Sequence, residues 1–530
     1  MDAGPGPGSL STASRNANEP LDWHFLQCFG ERTPGEEIQD ADIISAIEFD
    51  ASGQHLATGD RGGRVVLFER VAIQNRLPGV DQRAPQLRPA PCEFRYMTEF
   101  QSHEPEFDYL KSFEIEEKIN KVRWVNHPSA SRLILSTNDK TIKLWKVYEK
   151  KVAHLANYNK KDEQPGTPSH PSMNWSIPAG GTASPTRLGP LPDQKTQLSL
   201  EHPKLSRPQL RIPTVTSTEI VLAAKQKKKY ANAHTYHVNS IALSSDQETF
   251  ITADDLRINL WNLEHEDQAF NVVDMKPPNM EELTEVITVA DFHPIDCHVF
   301  AFATSKGAIR LADLRASALA DNTCKSFEEP EAPSSQRSFF TELLASMSDL
   351  KFSRDGRHML ARDFMGLKLW DVRSESAPVA TFPIHEHLKA KLGDLYENDS
   401  IFDKFDCCFS GDGTQVATGT YSNCFRVVSR GDGRSGAPGT DQVLEASRDP
   451  QRKRLQQTPA KQTPNRFGLS RGSSSAKKPA ANGAVGADGQ NSLLQQNHDY
   501  SAKLLHLAWH PENNLIAAAA SNSLYMYAAR

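Results

Sequence analysis

Cysteine is scarce and scattered in this chain of 530 residues. The seven cysteines are an odd number, and no two of them form a CxxC pair. This pattern disfavours a disulfide framework and a structural zinc site, and it fits a reducing compartment. The first twenty residues lack the basic and apolar regions of a secretory signal. No apolar run reaches about 18 residues, so we expect neither a transmembrane helix nor a membrane partner, and a cytoplasmic and nuclear location.

Signatures of catalysis are also missing. The sequence contains no nucleophile elbow, P-loop, HExxH motif or dinucleotide fingerprint. His385 and His387 could form a metal pair, but no third ligand stands at a suitable spacing, so we expect surface histidines on a connecting helix. Asp254, Asp255 and Asp363 resemble paired carboxylates, yet acids at strand ends usually accept backbone N–H bonds in turns. We therefore expect a binding protein with no catalytic residue, cofactor or metal.

Charge is distributed unevenly along the chain. The net charge is −6, although residues 448–478 contain nine Lys or Arg and a single Asp. The remainder is strongly acidic, so it should repel nucleic acid and attract basic peptides. The basic tract is either a solvated loop or a nuclear-import or nucleic-acid signal.

A repeat of nearly constant internal length runs through the chain. Seven strand-like segments end at Phe49, Trp124, Leu243, Phe292, Phe352, Phe409 and Trp509. A later apolar strand ends 18–21 residues further on, at Phe68, Trp145, Trp261, Ala312, Trp370, Val428 and Tyr527. This spacing predicts an all-β fold, a WD-type β-propeller with seven four-stranded blades. His127, His293 and His510 recur at one position of the repeat, which indicates packing and not metal binding.

The ends of the repeat and its interruptions predict the domain organisation. The last unit is one strand short, so we expect Trp23–Gly30 to close the ring. We expect a disordered segment at 1–20, a propeller at 21–529, and low-complexity, largely disordered insertions at 152–222 in blade 2 and 430–500 before the last blade. A further segment, 92–124, is rich in aromatic and acidic residues. We expect it to fold onto the propeller face, with strands around Glu93–Phe100 and Asp108–Ile115.

Two acidic stretches, 279–286 and 395–405, lie between the predicted blades. Their acids surround Leu283 and Phe402. Acids around exposed apolar anchors suit a basic peptide with one or two hydrophobic side chains. The alternative is that these stretches are ordinary solvated loops.

Long motifs outside the generic repeat add a family resemblance. The segments FQSHEPEFDYLKS, EIEEKINKVRW, NMEELTEVIT, SKGAIRLADLRASALAD, RSFFTELLASMSDLKFS and LYENDSIFDKF resemble the WD-repeat, 55 kDa B-type regulatory subunit of protein phosphatase 2A. The similarity covers roughly 21–150, 228–429, 441–447 and 501–528, and the two low-complexity tracts resemble the expanded loops of fungal members. The resemblance implies a non-catalytic subunit of a heterotrimer with a helical-repeat scaffold subunit and a metal-dependent catalytic subunit.

The resemblance also implies a substrate site and a scaffold contact. In the family, an acidic groove on the top face binds basic segments of phosphoserine and phosphothreonine substrates. The matching positions are Asp255, Tyr236, His237, Glu281, Leu283, Glu397, Asp399, Phe402, Lys404, Arg61 (where the family usually has lysine) and Asp40. A hairpin handle that contacts the scaffold is expected within 149–227, around Leu210–Val221.

The fold alone leaves other functions open, because propellers serve many purposes. The main alternative is a generic WD-repeat adaptor, such as the substrate receptor of a ubiquitin ligase. A propeller enzyme would need catalytic residues at the central channel, and the sequence shows none. The sequences of the blade connections favour the phosphatase subunit.

Overall fold

The computed structural model describes residues 20–30, 37–72, 92–109, 112–126, 131–156, 212–320, 324–329, 339–430, 440–450 and 500–529. The chain divides into a larger unit, Met1–Tyr148 with Leu222–Arg530, and a smaller unit, Glu149–Val221. The strands form seven four-stranded antiparallel sheets and one two-stranded hairpin within the described residues.

Each sheet is one blade, numbered here along the chain. Blades 1 to 3 consist of Ile44–Phe49, His55–Asp60, Arg64–Ala72 and Cys92–Gln101; Lys121–Val125, Arg132–Thr137, Ile142–Ala156 and Thr214–Tyr230; and Ser240–Leu243, Thr249–Ala253, Arg257–Asn262 and His265–Asp274. Blades 4 to 6 consist of Ile287–Phe292, Val299–Thr304, Ile309–Asp313 and Lys325–Phe327; Asp349–Phe352, His358–Arg362, Gly366–Asp371 and Ala380–Pro383; and Cys407–Phe409, Gln415–Gly419, Cys424–Ser429 and Asp441–Glu445. Blade 7 consists of Leu507–Trp509, Leu515–Ala520, Ser523–Ala529 and Trp23–Phe29.

The helices are short and lie in connections between blades. The α-helices are Phe339–Ala345 and Leu392–Glu397, and the described 3-10 helices are Asp40–Asp42, Met280–Glu282, Glu386–Lys391 and Ser400–Phe402. Among the described residues, no helix is both long enough and apolar enough to cross a membrane.

The repeat spacing located the blades correctly. Six of the seven predicted segment ends are the last residue of a first strand, and Trp124 is the penultimate residue of its strand. The first strands of neighbouring blades lie side by side around the ring axis. The second strands are the most buried, and Gln415–Gly419 and Leu515–Ala520 are buried along their whole length, because both faces of a blade pack against neighbouring blades.

The N-terminal strand closes the ring, as predicted. Trp23–Phe29 pairs antiparallel with Ser523–Ala529, from Trp23 opposite Ala529 to Phe29 opposite Leu524. The Trp23 side chain is 2% exposed, and its ring meets that of Trp509 edge-on at 5.4 Å.

Apolar clusters fill every junction between adjacent blades. Seven clusters of buried side chains correspond one by one to the seven junctions within the described chain. The cluster between blades 7 and 1 joins Phe49, Leu56 and Phe68 to Leu515 and Met526. The core is therefore a continuous ring, and burying these side chains stabilises it by about 1.5–3 kcal/mol for each large residue.

Two of the recurring histidines are packing residues, as expected. The Nε2 atoms of His293 and His510 hydrogen-bond the carbonyl oxygens of Gly356 and Gly53, each at 3.0 Å. Both glycines have a φ of +68°, and a Cβ atom at Gly53 would lie 2.1 Å from the His510 ring. Only glycine fits this position, since it combines a left-handed backbone with contact to an imidazole. His127 lies outside the described residues.

The expectation for residues 92–124 was right about a strand around Glu93–Phe100 and wrong about where that strand lies. Cys92–Gln101 is the fourth strand of blade 1 and not an insertion lying on the face. Glu106–Asp108 and Phe113–Ile115 form a separate two-stranded hairpin in place of one strand at 108–115. Residues 73–91, which separate the third and fourth strands of blade 1, lie outside the described residues.

The predicted low-complexity tracts are described only in part. Within 152–222 the structure describes 152–156 and 212–222, of which 152–156 and 214–222 belong to two strands. Within 430–500 it describes residue 430, residues 440–450 and residue 500, and Asp441–Glu445 is the fourth strand of blade 6. The predicted disordered segment at 1–20 falls outside the described residues, apart from Pro20.

Candidate functional site

All eleven predicted site residues lie at the same end of the blades. In an antiparallel four-stranded blade, the start of the first strand and the turn between the second and third strands share one end. Arg61 and Asp255 lie in such turns of blades 1 and 3. The other nine residues lie in segments that lead into a first strand. We call this end of the propeller the top face.

The turn of blade 3 uses two adjacent aspartates differently. Buried Asp254 accepts hydrogen bonds from the backbone N–H groups of Leu256 and Arg257 at 2.9 and 2.7 Å, and contacts His234 Nδ1 at 3.0 Å. Burial acts to raise the pKa of Asp254, but these hydrogen bonds outweigh it and lower the pKa. Asp255 is half-buried and accepts a bond from Asn239 Nδ2 at 3.0 Å. The turn is thus fixed by Asp254, and this leaves Asp255 at the surface.

The prediction that such acids hold turns is confirmed for Asp254 and also for Asp363, which accepts the N–H of Gly366 at 2.6 Å. His385, by contrast, was expected at the surface and is fully buried. Its Nδ1 donates to the carbonyl of Phe364 and its Nε2 accepts from Thr420 Oγ1, both at 2.8 Å. Burial and nearby Arg362 lower its pKa well below the usual value, so the ring is a neutral packing residue.

Tyr236 and His237 lie in the connection before blade 3. His237 Nδ1 lies 2.9 Å from an Asp139 carboxylate oxygen, and the His237 ring is largely exposed. Asp139 also accepts a bond from Asn120 Nδ2 at 2.8 Å. Asp139 is thus an acidic residue of the top face that was not among the positions implied by the family resemblance.

Glu281 and Leu283 lie at a short 3-10 helix before blade 4. The side chain of Asn279 caps this helix by accepting the N–H of Glu281 at 3.2 Å. Glu281 is exposed and Leu283 is half-buried. Among the described residues, no hydrogen bond or ion pair links either side chain to another predicted site residue.

The connection before blade 6 contributes four of the predicted residues. Its buried side chains include Leu388, Leu395, Ile401 and Phe405, which pack in one cluster with Tyr421. The Tyr421 hydroxyl donates to the carbonyl of Ser400 at 2.7 Å. Glu397 and Asp399 are exposed, and Asp399 has a left-handed backbone with φ of +54°. This anchoring holds the acids of an irregular segment at defined positions.

An exposed aromatic cluster accompanies these acids. The ring of Phe402 lies 6.1 Å from that of Tyr396, which lies 5.5 Å from Phe339 and 6.2 Å from Phe340. Phe339, Phe402 and Tyr396 are 64%, 53% and 41% exposed. Sequence reasoning had selected only Phe402. In the sequence, the adjacent Phe339 and Phe340 at the start of a short helix were the feature that could have indicated the other aromatic residues of this cluster.

Arg61 and Asp40 form an ion pair on the same face. Arg61 Nη1 lies 2.6 Å from an Asp40 carboxylate oxygen, and both side chains are exposed. An exposed pair of this kind contributes only about 0–1 kcal/mol to stability, so it can open to a ligand at little cost.

Charged side chains at the starts of several first strands meet near the ring axis. Lys121 Nζ in blade 2 lies 3.0 Å from one oxygen of Asp406, and His506 Nδ1, before blade 7, lies 2.8 Å from the other. Burial acts to raise the pKa of Asp406, but Lys121 and His506 hold it far below its usual range. Asp406 therefore joins three blades. Lys404, two residues earlier in the chain, lies where this network meets the top face.

Curated relatives decide the family. The B alpha isoform of the 55 kDa regulatory subunit of serine/threonine protein phosphatase 2A from Oryza sativa subsp. japonica is 53% identical over 99% of this chain and 87% of its own length. The B beta isoform from Arabidopsis thaliana is 53% identical over 98% of this chain and 99% of its own length. The chain belongs to this family of 55 kDa, B-type regulatory subunits of protein phosphatase 2A.

More distant members of this B-type family agree with the assignment. The B-type regulatory subunit of protein phosphatase 2A from Schizosaccharomyces pombe is 46% identical over 95% of this chain and 97% of its own length. A family model described as "WD domain, G-beta repeat" matches residues 225–262, which include three strands of blade 3. Because these relatives are named as regulatory and not as catalytic subunits, this chain is a non-enzymatic regulator. Among the described residues, no group of three His, Cys, Asp or Glu is placed to hold a metal ion.

The structure of this B-type subunit links some of the predicted groove residues and leaves others apart. It links Arg61 to Asp40, and it brings Asp255 close enough to raise the pKa of Lys404 against the larger, opposing effect of desolvation. Phe402, Glu397 and Asp399 share one ordered connection. Glu281, Leu283, Tyr236 and His237 share the top face without a direct polar link to those residues.

Proposed function

We propose that this chain is the substrate-specifying and targeting subunit of a protein phosphatase 2A heterotrimer, and that it binds basic segments of phosphoprotein substrates on its top face. The observation that supports this most is the grouping of exposed acids beside exposed aromatic rings. Glu397 and Asp399 are exposed in the connection that also carries Tyr396 and Phe402. Arginine or lysine side chains would pair with the acids, and an apolar side chain would pack on the rings.

The chemistry of dephosphorylation would belong to a partner. A metal-dependent catalytic subunit would supply the metal ions and the hydrolysis. This chain would supply binding and orientation, which raise the local concentration of a phosphosite near the catalytic subunit.

The smaller unit is the candidate contact for a helical-repeat scaffold subunit. Thr216 Oγ1 donates to the carbonyl of His154 at 3.0 Å, which joins its two described segments. Leu155, Ile212, Val215 and Ile220 are exposed apolar residues of this unit. Exposed aliphatic side chains on a paired hairpin suit burial against another subunit. Ile212, Val215 and Ile220 fall within Leu210–Val221, where the handle was expected.

We further propose that the subunit works in both the cytoplasm and the nucleus. The basic tract at 448–478 is the candidate import signal. A fluorescent fusion of the full chain should lose its nuclear fraction when the nine basic residues are changed to glutamine, and should keep it if the tract is only a solvated loop.

The test of the proposed function is recovery of partners from the cells that make this protein. Tagged full-length chain should retain a helical-repeat scaffold and a phosphatase catalytic subunit in equal amounts, measured by mass spectrometry. Recovery of a different stable complex would move the chain's role to that of a generic WD-repeat adaptor.

The groove itself is tested by Asp255→Lys. Reversing the charge of this surface acid should weaken binding of a basic substrate peptide by about 1–3 kcal/mol, the scale of one lost charge-assisted contact. Heterotrimer assembly should be unchanged because Asp255 lies on the top face. Peptide affinity is measured by isothermal titration calorimetry, and assembly by gel filtration.

Asp267→Lys is the matched control for this variant. Asp267 is an exposed acid of the same blade, but it lies on the fourth strand and away from the top face. It should leave peptide affinity unchanged. Loss of assembly in Asp255→Lys, or equal weakening by both variants, would contradict the groove assignment.

A further inference from the structure

The top face is not uniformly acidic, because two lysines stand at its centre. Lys118 precedes the first strand of blade 2, and Lys404 precedes the first strand of blade 6. These blades are not neighbours in the ring. The Lys121–Asp406 ion pair, at 3.0 Å, nevertheless joins the two segments across the axis. Lys118 and Lys404 stand three and two residues before the two members of that ion pair, and Lys118 is among the charges that lower the pKa of Lys404.

Neither lysine has a counter-ion in the described part of the chain. Other cations of this region are paired: Arg61 with Asp40 at 2.6 Å, Lys121 with Asp406, and Lys503 with Asp403 at 2.5 Å. No carboxylate of a described residue lies within ion-pair distance of Lys118 or Lys404. Two ammonium groups without a carboxylate in ion-pair contact thus remain among paired charges.

Nearby cations act on both lysines. Lys404 is exposed to solvent, yet desolvation by the surrounding protein lowers its pKa; Asp255 opposes this effect, and Lys121 and Lys118 reinforce it. Desolvation and Arg61 likewise lower the pKa of Lys118, against Asp139 and Glu116. Holding like charges together in this way favours binding of an anion between them.

We propose that Lys118 and Lys404 form a subsite for a phosphate group carried by the substrate beside its basic segment, distinct from the phosphate that is hydrolysed. This rests on the proposed function, in which the ligands are phosphoproteins. A phosphate group carries a charge of about −1.5 to −2 at neutral pH. It therefore balances the charge of two ammonium groups better than a single carboxylate would. Lysine binds phosphate as a point charge and needs no fixed fork geometry.

With this subsite, the top face would prefer ligands that carry both a basic segment and a phosphate group. The acids Asp255, Glu397 and Asp399 repel a phosphate and attract arginine or lysine, whereas the central lysines do the reverse. A substrate would therefore be selected by the order and spacing of a basic segment and a phosphorylated residue. Multiply phosphorylated substrates would be retained on the propeller while another phosphate is removed elsewhere.

The experiment uses the full chain and synthetic peptides. Each peptide carries two arginines, one leucine and one serine, and the serine is placed at successive distances from the arginines. Every peptide is made with serine, phosphoserine or glutamate at that position. At one spacing, phosphoserine should strengthen binding about tenfold over serine, the scale of one or two charge-assisted contacts, and glutamate should strengthen it less.

Variants assign this gain to the two lysines. The double variant Lys118→Met with Lys404→Met should lose the phosphoserine gain, so that it binds the serine and phosphoserine peptides of each spacing with equal affinity. Lys404→Met alone should lose part of the gain. Because it changes only an exposed side chain, it still tests the subsite if the double variant does not fold. Lys306→Met removes another exposed lysine of the same face and should keep the full gain.

The outcomes separate this proposal from the proposed function. Equal binding of serine and phosphoserine peptides at every spacing, or a gain that survives in the double variant, would overturn the phosphate subsite. A phosphoserine peptide without arginines tests the subsite alone: it should bind weakly to the wild type and not to the double variant. If only that peptide binds, and arginine peptides do not, the basic groove fails while the subsite stands.

Discussion

Replacing Asp406 by asparagine is expected to lower the free energy of unfolding by about 3–5 kcal/mol, the range for breaking a buried ion pair. The carboxylate contacts Lys121 in blade 2 and His506 next to blade 7, and its side chain is 16% exposed. Asparagine fills the same space but leaves the ammonium group of Lys121 without its counter-ion. Urea unfolding followed by tryptophan fluorescence measures the change.

The lowered pKa of Asp406 predicts how the stability effect of this variant changes with pH. Because the folded-state pKa of Asp406 is lowered, its stabilising contribution is present above its unfolded value of about 3.9. That contribution is lost progressively as the pH falls below this value. The stability gap between wild type and Asp406→Asn should therefore narrow as the pH falls below about 4.

Two further variants serve as controls for Asp406→Asn. Asp40→Asn, which breaks an exposed pair with Arg61, should cost only about 0–1 kcal/mol. The double variant Asp406→Leu with Lys121→Met should cost less than Asp406→Asn, because it removes both charges together. If Asp406→Asn were as stable as the wild type, the contacts of Asp406 with Lys121 and His506 would not hold the blades together.

Replacing Trp23 by alanine should destabilise the ring by about 3–5 kcal/mol, the range for truncating a buried large side chain. Its indole packs against Trp509 and lies in a buried cluster with Phe425 and Leu507. The cavity would lie between the closing strand and blade 6, so the closing strand should loosen first. Thermal unfolding and limited proteolysis, with cleavage sites mapped by mass spectrometry, measure both effects.

His24→Ala is the matched control for Trp23→Ala, since His24 is a partly exposed neighbour on the same strand. It should change neither the thermal midpoint nor the cleavage pattern. Cleavage of Trp23→Ala that begins in another blade would contradict the role of this residue in closure.

The fold was largely predictable because its repeat is carried by buried residues. Trp261 and Trp370 each lie one residue before the end of a third strand, and their spacing from the first-strand anchors varies little between blades. The fourth strand of blade 1 was misassigned because residues 73–91 separate it from the third strand. Outer strands are paired on one side only, so their sequences carry a weaker pattern.

The site was predictable only through the family resemblance, and then only position by position. Its residues come from loops, whose placement depends on contacts between distant segments. Tyr396 contacts both Phe402 and Phe339, and Phe339 comes from a helix in a different connection. His385 contacts Thr420 of blade 6, and the ion pair of Lys121 with Asp406 joins segments of blades 2 and 6. No local pattern contains this information.

The pairing of Trp23–Phe29 with Ser523–Ala529 also has a consequence during synthesis. The two strands are separated by almost the whole chain, so the first strand must wait until the last has left the ribosome. Contacts of such sequence separation form slowly. Meanwhile the segment WHFLQCF presents an unpaired edge rich in aromatic residues, the kind of edge that pairs with other chains. The nascent chain is therefore most prone to aggregation just before its final strand emerges.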